Sequence, residues 1–324
     1  MFQITAPVDS FDKVKFFEQL WVIDYYAGGW TVYDWGEKYD YMTYINGRSG
    51  KEGNFLTMEE FRDTIVYCKE KWLQLALTFN HLPAIADHKV LFDEIGNINK
   101  NLNPENIIIF DFLSGQFFDA DKKLYISNQA AIYDEDTFKE WRKAYPNIQR
   151  IIFPRDVLLE TLEWFFNDKD LRNNDIEIFI KNEWCYHTTS CTSMHGVWVK
   201  HGIPFLCHRE DKMQYQESEI AKKIKPLLEA KNQCKMCFLH KVHTLKKKTG
   251  YNKDVFLKLV GRTKTKKQIA KDILFIRFAI EVLQKNEDVD YKKYVFWNIA
   301  AHQKIYGEKC EYQKCEYYQE AINS

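Results

Sequence analysis

Apolar residues fall along the chain in eight short runs. They are residues 2–7 (FQITAP), 22–29 (VIDYYAGG), 73–80 (LQLALTFN), 107–112 (IIIFDF), 124–129 (LYISNQ), 151–156 (IIFPRD), 176–182 (IEIFIKN) and 256–262 (FLKLVGR). Several are apolar almost throughout, as strands of a parallel sheet covered on both faces are. Between the runs the pattern changes to a helical period. Thr57 and Glu60 have capping-box spacing, and Phe61, Ile65, Cys68 and Trp72 then form one stripe. Asp156 stands where VLLETLEWFF needs an N-cap, and Ile269, Ile273, Ile276, Ile280 and Leu283 make a further stripe. Eight strands alternating with helices predict an α/β fold, a (β/α)8 TIM-type barrel.

One interval breaks the alternation. About seventy residues separate the seventh and eighth runs, where one short helix suffices. The expected organisation is therefore seven βα units over 1–182, a cysteine-rich insertion over 183–250, and the last strand, closing helix and C-terminal tail over 251–324. Within the insertion, 217–230 (ESEIAKKIKPLLEA) reads as a helix and 243–250 (HTLKKKTG) as a basic, solvated loop. Residues 38–54 read as a loop after the second strand.

Barrels of this kind work at the C-terminal ends of their strands. Those ends carry Asn80, Gln129, Arg155, Asn182 and Arg262. Any one of them also fits a merely solvated rim. Two arginines on one face point further, to binding of a carboxylate or phosphate by guanidinium forks.

Composition narrows the class. Of 324 residues 45% are hydrophobic, enough for a large core, and 46 basic side chains balance 46 acidic ones, so net charge makes no case for nucleic acid. No segment approaches eighteen uninterrupted apolar residues, so no membrane span is expected. The start, MFQITAPVDSFDKV, lacks the basic and apolar regions of a secretory signal. A cytoplasmic protein is expected, and there structural disulfides are rare.

The cysteines call for another explanation. Five of the eight, Cys185, Cys191, Cys207, Cys234 and Cys237, fall within 53 residues, and such clustering points to metal. Zinc accepts these thiolates, and CKMC (234–237) has the look of a zinc knuckle. An iron–sulfur cluster takes four thiolates equally well. A third reading is ordinary buried thiols. Cys310 and Cys315 either complete a second site, help close the first, or are exposed reduced thiols. Cys68 lies on an apolar helix stripe and reads as core.

The order of the strand-end motifs resembles the collagenase-like peptidase family U32. APVDS (6–10) is similar to its APxGS start, with aspartate in place of glycine. YYAGG, LTFN, ISNQ, RIIFPRD and LKLVGR follow where the family has VYLGG, LTLN, STQ, RVVLARE and LKIEGR or LKIVGR. NEWC (182–185) resembles the NExC of one branch, whose second cysteine and histidine find counterparts in Cys191 and His195. That resemblance implies a [4Fe–4S] cluster. Its ligands would be Cys185, Cys191 and Cys207, spaced by five and fifteen residues, with Cys237 or Cys234 as the fourth. Cys237 is favoured because CFLHKVHTL resembles the family's CLIEHLPEL.

Three functions follow from the resemblance. One is redox chemistry of the hydroxylation type on an RNA base or another small aromatic or anionic substrate. Here Arg155 and Arg262 would anchor the substrate, and Gln129 and Asn80 would complete the site. Another is peptide hydrolysis, with Cys185 beside His187 or His195 as nucleophile and base. The last is a non-enzymatic binding protein stapled by zinc. The family also implies a protein partner or a homologous subunit.

Overall fold

In the computed structural model, eight strands close into an all-parallel barrel in chain order. They are β1 (Phe2–Pro7), β2 (Asp24–Ala27), β3 (Gln74–Phe79), β4 (Asn106–Ile109), β5 (Lys123–Ile126), β6 (Ile148–Ile152), β7 (Asp175–Lys181) and β8 (Val255–Leu259). The described residues are 1–28, 53–79, 96, 99–110, 115–116, 118–130, 132, 134–154, 157–181, 234–261, 264–286, 288–307, 310 and 315–323. Closure is made by β8 pairing with β1, where Phe2 stands opposite Val255 and Thr5 opposite Lys258. Each of the eight apolar runs overlaps a strand, so the (β/α)8 expectation holds.

The described helices are α1 (Phe11–Glu18), α2 (Met58–Glu70), α3 (Glu135–Ala144), α4 (Leu159–Asn167), α5 (Phe238–Thr249), α6 (Lys266–Lys285), α7 (Tyr291–Tyr306) and α8 (Glu316–Asn323). Their apolar faces and the outward faces of the strands share one large core. All five residues of the α6 stripe are buried, and so are Phe61, Ile65 and Cys68 on α2. Burial pushes the Cys68 thiol up to about 12, with help from Glu18, as befits a packed thiol and not a reactive one. No helix among the described residues is long and apolar enough to cross a membrane.

Several local expectations need correction. Trp72 is not on the α2 stripe; the helix ends before it, and the residue sits at φ 57° with its ring 92% exposed. Thr57 caps α2 by accepting from the Glu60 amide, but the Glu60 carboxylate turns away to accept from the Phe11 amide of α1. The box is opened to tie two helices together. The N-cap of α4 is Leu158, with no side-chain hydrogen bond, because a turn from Pro154 to Val157 delays the helix. Residues 243–249 are not loop: they are the last turns of α5, closed by Gly250 in the left-handed conformation that favours glycine. The expected helix over 217–230 and the loop over 38–52 lie outside the described residues.

Inside the barrel, alternate residues form tiers. The lower tier is charged. Arg150 forks onto Asp24 at 2.9 and 3.0 Å, and also reaches Glu177 at 3.0 Å and Gln74 at 3.1 Å. Its guanidinium lies over the rings of Tyr125 and Phe256, at 4.2 and 3.3 Å. Lys258 bonds the other oxygen of Glu177, and the Thr5 hydroxyl donates to Asp24. Two residues further along the strands comes an apolar tier of Tyr26, Ala76, Ile108, Tyr125, Ile152, Phe179 and Val260. That tier lies between the charges and the open end of the barrel.

Candidate functional site

All eight strands run the same way, so their C-terminal ends make one mouth, the face where such barrels do chemistry. Thr78 belongs to the tier above Ala76 on the interior face of β3. Its hydroxyl is buried and has no hydrogen-bond partner. Buried polar groups are nearly always paired, so an orphan beneath the mouth marks a place where a ligand can bond. Sequence reasoning missed it, since a threonine inside an apolar strand reads as packing; period-two counting from Gln74 was the available signal. Ser127 ends the interior row of β5 and is also buried.

The strand-end residues singled out from the sequence follow directly. Gln129 falls in a 3-10 turn, Asn128–Ala130, immediately after β5. Asn80 comes one residue after β3, and Arg155 and Arg262 three residues after β6 and β8. Those three, and Cys185, Cys191 and Cys207, lie outside the described residues.

Cys234 and Cys237 can be placed. The Lys235 amide between them donates to the Ile180 carbonyl at 2.8 Å, so the CKMC segment adds to the mouth end of β7. Met236 is fully buried, and its carbonyl accepts from the Tyr294 hydroxyl of α7 at 3.2 Å. Cys237 is the N-cap residue of α5. Burial first, and then the nearby thiols of Cys234, Cys315 and Cys310, hold the Cys237 thiol well above its ordinary range. Tyr294 is raised too, chiefly by burial and then by Cys237. An anionic thiolate at Cys237 is therefore disfavoured. Among the described residues no group of three or more His, Cys, Asp or Glu side chains stands ready, as arranged, to hold a metal ion. Thiols are the donor type that zinc and iron–sulfur clusters take.

The sequence model of Peptidase family U32 matches residues 36–310. The chain belongs to peptidase family U32. The match takes in strands β3 to β8 and the CKMC segment, and runs as far as Cys310. A solved structure described as the U32 peptidase Mk0906 is similar at 10% identity with a TM-score of 0.47, over 81% of this chain and 94% of that one. No curated protein matches the chain.

Proposed function

We propose that this U32 protein is a redox enzyme that holds an iron–sulfur cluster over the barrel mouth and acts, by hydroxylation, on an RNA base or another small aromatic or anionic substrate. The observation that supports this is the anchoring of CKMC to the mouth end of β7, which brings soft ligands to the working face of the barrel. Cys185, Cys191 and Cys207 are the ligands, with Cys237 or Cys234 as the fourth. Bound there, the cluster supplies an electron-transfer centre or, with only three protein thiolates, an iron open to substrate. Arg155 and Arg262 bind the anionic part of the substrate, Asn80 and Gln129 orient it, and the orphaned Thr78 hydroxyl offers a hydrogen bond from below. The apolar tier beneath closes the mouth to water from the other side.

Peptide hydrolysis, the activity in the family's name, needs a free thiolate at Cys185, and a thiolate bound to metal cannot attack a peptide. The two readings separate on purification. Protein prepared without oxygen is expected to be brown, to absorb broadly near ~400 nm and to contain iron and acid-labile sulfide. Colourless protein that carries zinc and no iron overturns the redox reading. Gelatin cleavage by metal-free protein, abolished by Cys185→Ala, establishes the peptidase instead.

A further inference from the structure

Alternation along the strands sets the floor of the mouth. Two residues beyond the apolar tier come Gly28 after β2, Thr78 on β3, Phe110 after β4, Ser127 after β5 and Pro154 after β6. None of these carries a charge. The charged side chains of the interior, Asp24, Arg150, Glu177 and Lys258, pair with one another beneath the apolar tier. A carboxylate or phosphate set on this floor would lose its water and meet no free cation among the described residues, an unfavourable exchange.

The other described hydroxyls of the barrel interior are paired. Thr5 donates to Asp24, Tyr26 to the Leu259 carbonyl at 2.9 Å, Tyr125 to Asn106 Oδ1 at 3.0 Å, and Ser127 reaches Asn128 Oδ1 at 3.5 Å. Thr78, 3% exposed, is the exception among them. Its neighbours explain why. On β4 it stands opposite Ile108, which is apolar. On β2 the pairing of Ala27 with Leu77 puts Gly28, which has no side chain, beside it. Beneath it on its own strand is Ala76. Neither flank nor floor offers a partner, and the open direction is the mouth. A space-filling residue is the plainer account, but valine has nearly the same shape without the penalty of an unpaired hydroxyl. A trapped water is another, yet a buried water needs two to four polar partners, and Ile108, Gly28 and Ala76 lend it no side-chain polar group.

We propose that Thr78 selects the leading edge of the ligand: a neutral ring with a hydrogen-bonding group enters first, onto the Thr78 hydroxyl, and the anionic part stays at the rim. The orientation rests on the proposed function, in which Arg155 and Arg262 hold the anionic part. A hydroxyl both donates and accepts, so it serves a ring carbonyl, amide or hydroxyl alike. A ring whose only polar group is a carboxylate gains nothing from Thr78, because its charge must stay out of the uncharged floor.

The test compares full-length wild type, Thr78→Val and Thr78→Ser, all purified without oxygen. Urea unfolding reads stability, and NMR titration reads binding of two probes, uracil and benzoate. Thr78→Val is expected to have a urea midpoint no lower than the wild type, since it loses only an unpaired group. Uracil is expected to bind the wild type and to bind Thr78→Val about tenfold more weakly, the loss of one hydrogen bond. Thr78→Ser should restore most of that affinity, and benzoate binding should not respond to Thr78→Val. A lower urea midpoint for Thr78→Val overturns the inference, because the hydroxyl then has a partner within the fold. Uracil binding that is absent from the wild type, or equal in Thr78→Val, overturns it too. Benzoate weakened as much as uracil removes the ring-first orientation. Iron-free protein whose uracil binding depends on Thr78 keeps this inference and removes the redox reading. Brown, iron-loaded protein whose binding ignores Thr78 does the reverse.

Discussion

Arg150 is 2% exposed and holds five groups in place, Asp24, Glu177, Gln74, Tyr125 and Phe256. Burial favours loss of its proton. The charges of Asp24, Tyr125 and Glu177 and the hydrogen bonds to Asp24 outweigh that and keep the guanidinium charged. Burial likewise pushes the Asp24 carboxyl up against the pull of Arg150, and pushes Lys258 down against the pull of Glu177. The cluster is neutral as a whole, two carboxylates against two cations, which is why it survives in the barrel interior. Arg150→Ala leaves Asp24 without its cation, and is expected to destabilise the protein by about 3–5 kcal/mol in urea unfolding. Lys258→Met leaves Glu177 still bonded to Arg150, and its loss in the same experiment is expected to be smaller. Equal losses for the two would mean that Arg150 is not the centre of the network.

At the scale of elements, strand positions were legible because strands covered on both faces are continuously apolar. The sixth shows where legibility stops. Its run was drawn from 151 onward, whereas β6 spans Ile148–Ile152. Gln149 and Arg150 break the apolar pattern, and the break is Arg150 pointing into the barrel, not the end of a strand. Helix starts divide in the same way. Ser10, Thr57, Asp134, Thr265 and Asp290 each accept from the amide three residues on, a local interaction visible in sequence. The Glu60 link to α1 depends on a tertiary neighbour and was not. Thr265 heads α6 in a complete capping box, with Gln268 answering to the Thr265 amide at 2.9 Å. Thr265→Ala is expected to lower stability by about 1 kcal/mol in thermal unfolding. Thr57→Ala should remove its own cap and leave the Glu60 bond to Phe11 intact.

The whole molecule has two unlike ends. The mouth collects the strand-end motifs, the orphaned Thr78 and the described thiols around Cys237. The strand ends were legible because family resemblance named them; Thr78 was not, since its pairing depends on the barrel interior. The opposite end carries the turns that lead into β2 and β3. There Trp21 and Trp72 sit at φ 54° and 57°, a conformation bulky residues rarely adopt, with rings 76% and 92% exposed. Arg277 covers the Trp21 ring at 4.5 Å, whereas Trp72 only closes the turn after α2. Left-handed backbone costs a side chain about 1–2 kcal/mol, and glycine removes that strain while adding about 0.5–1 kcal/mol of unfolded-chain entropy. Trp72→Gly is therefore expected to raise stability by a few tenths to about 1 kcal/mol in urea. On the proposed function, the variant should keep the iron content of the wild type, because this end stands away from the mouth. A change in iron on Trp72→Gly would show that the two ends are coupled through the barrel, against the separation that the apolar tier suggests.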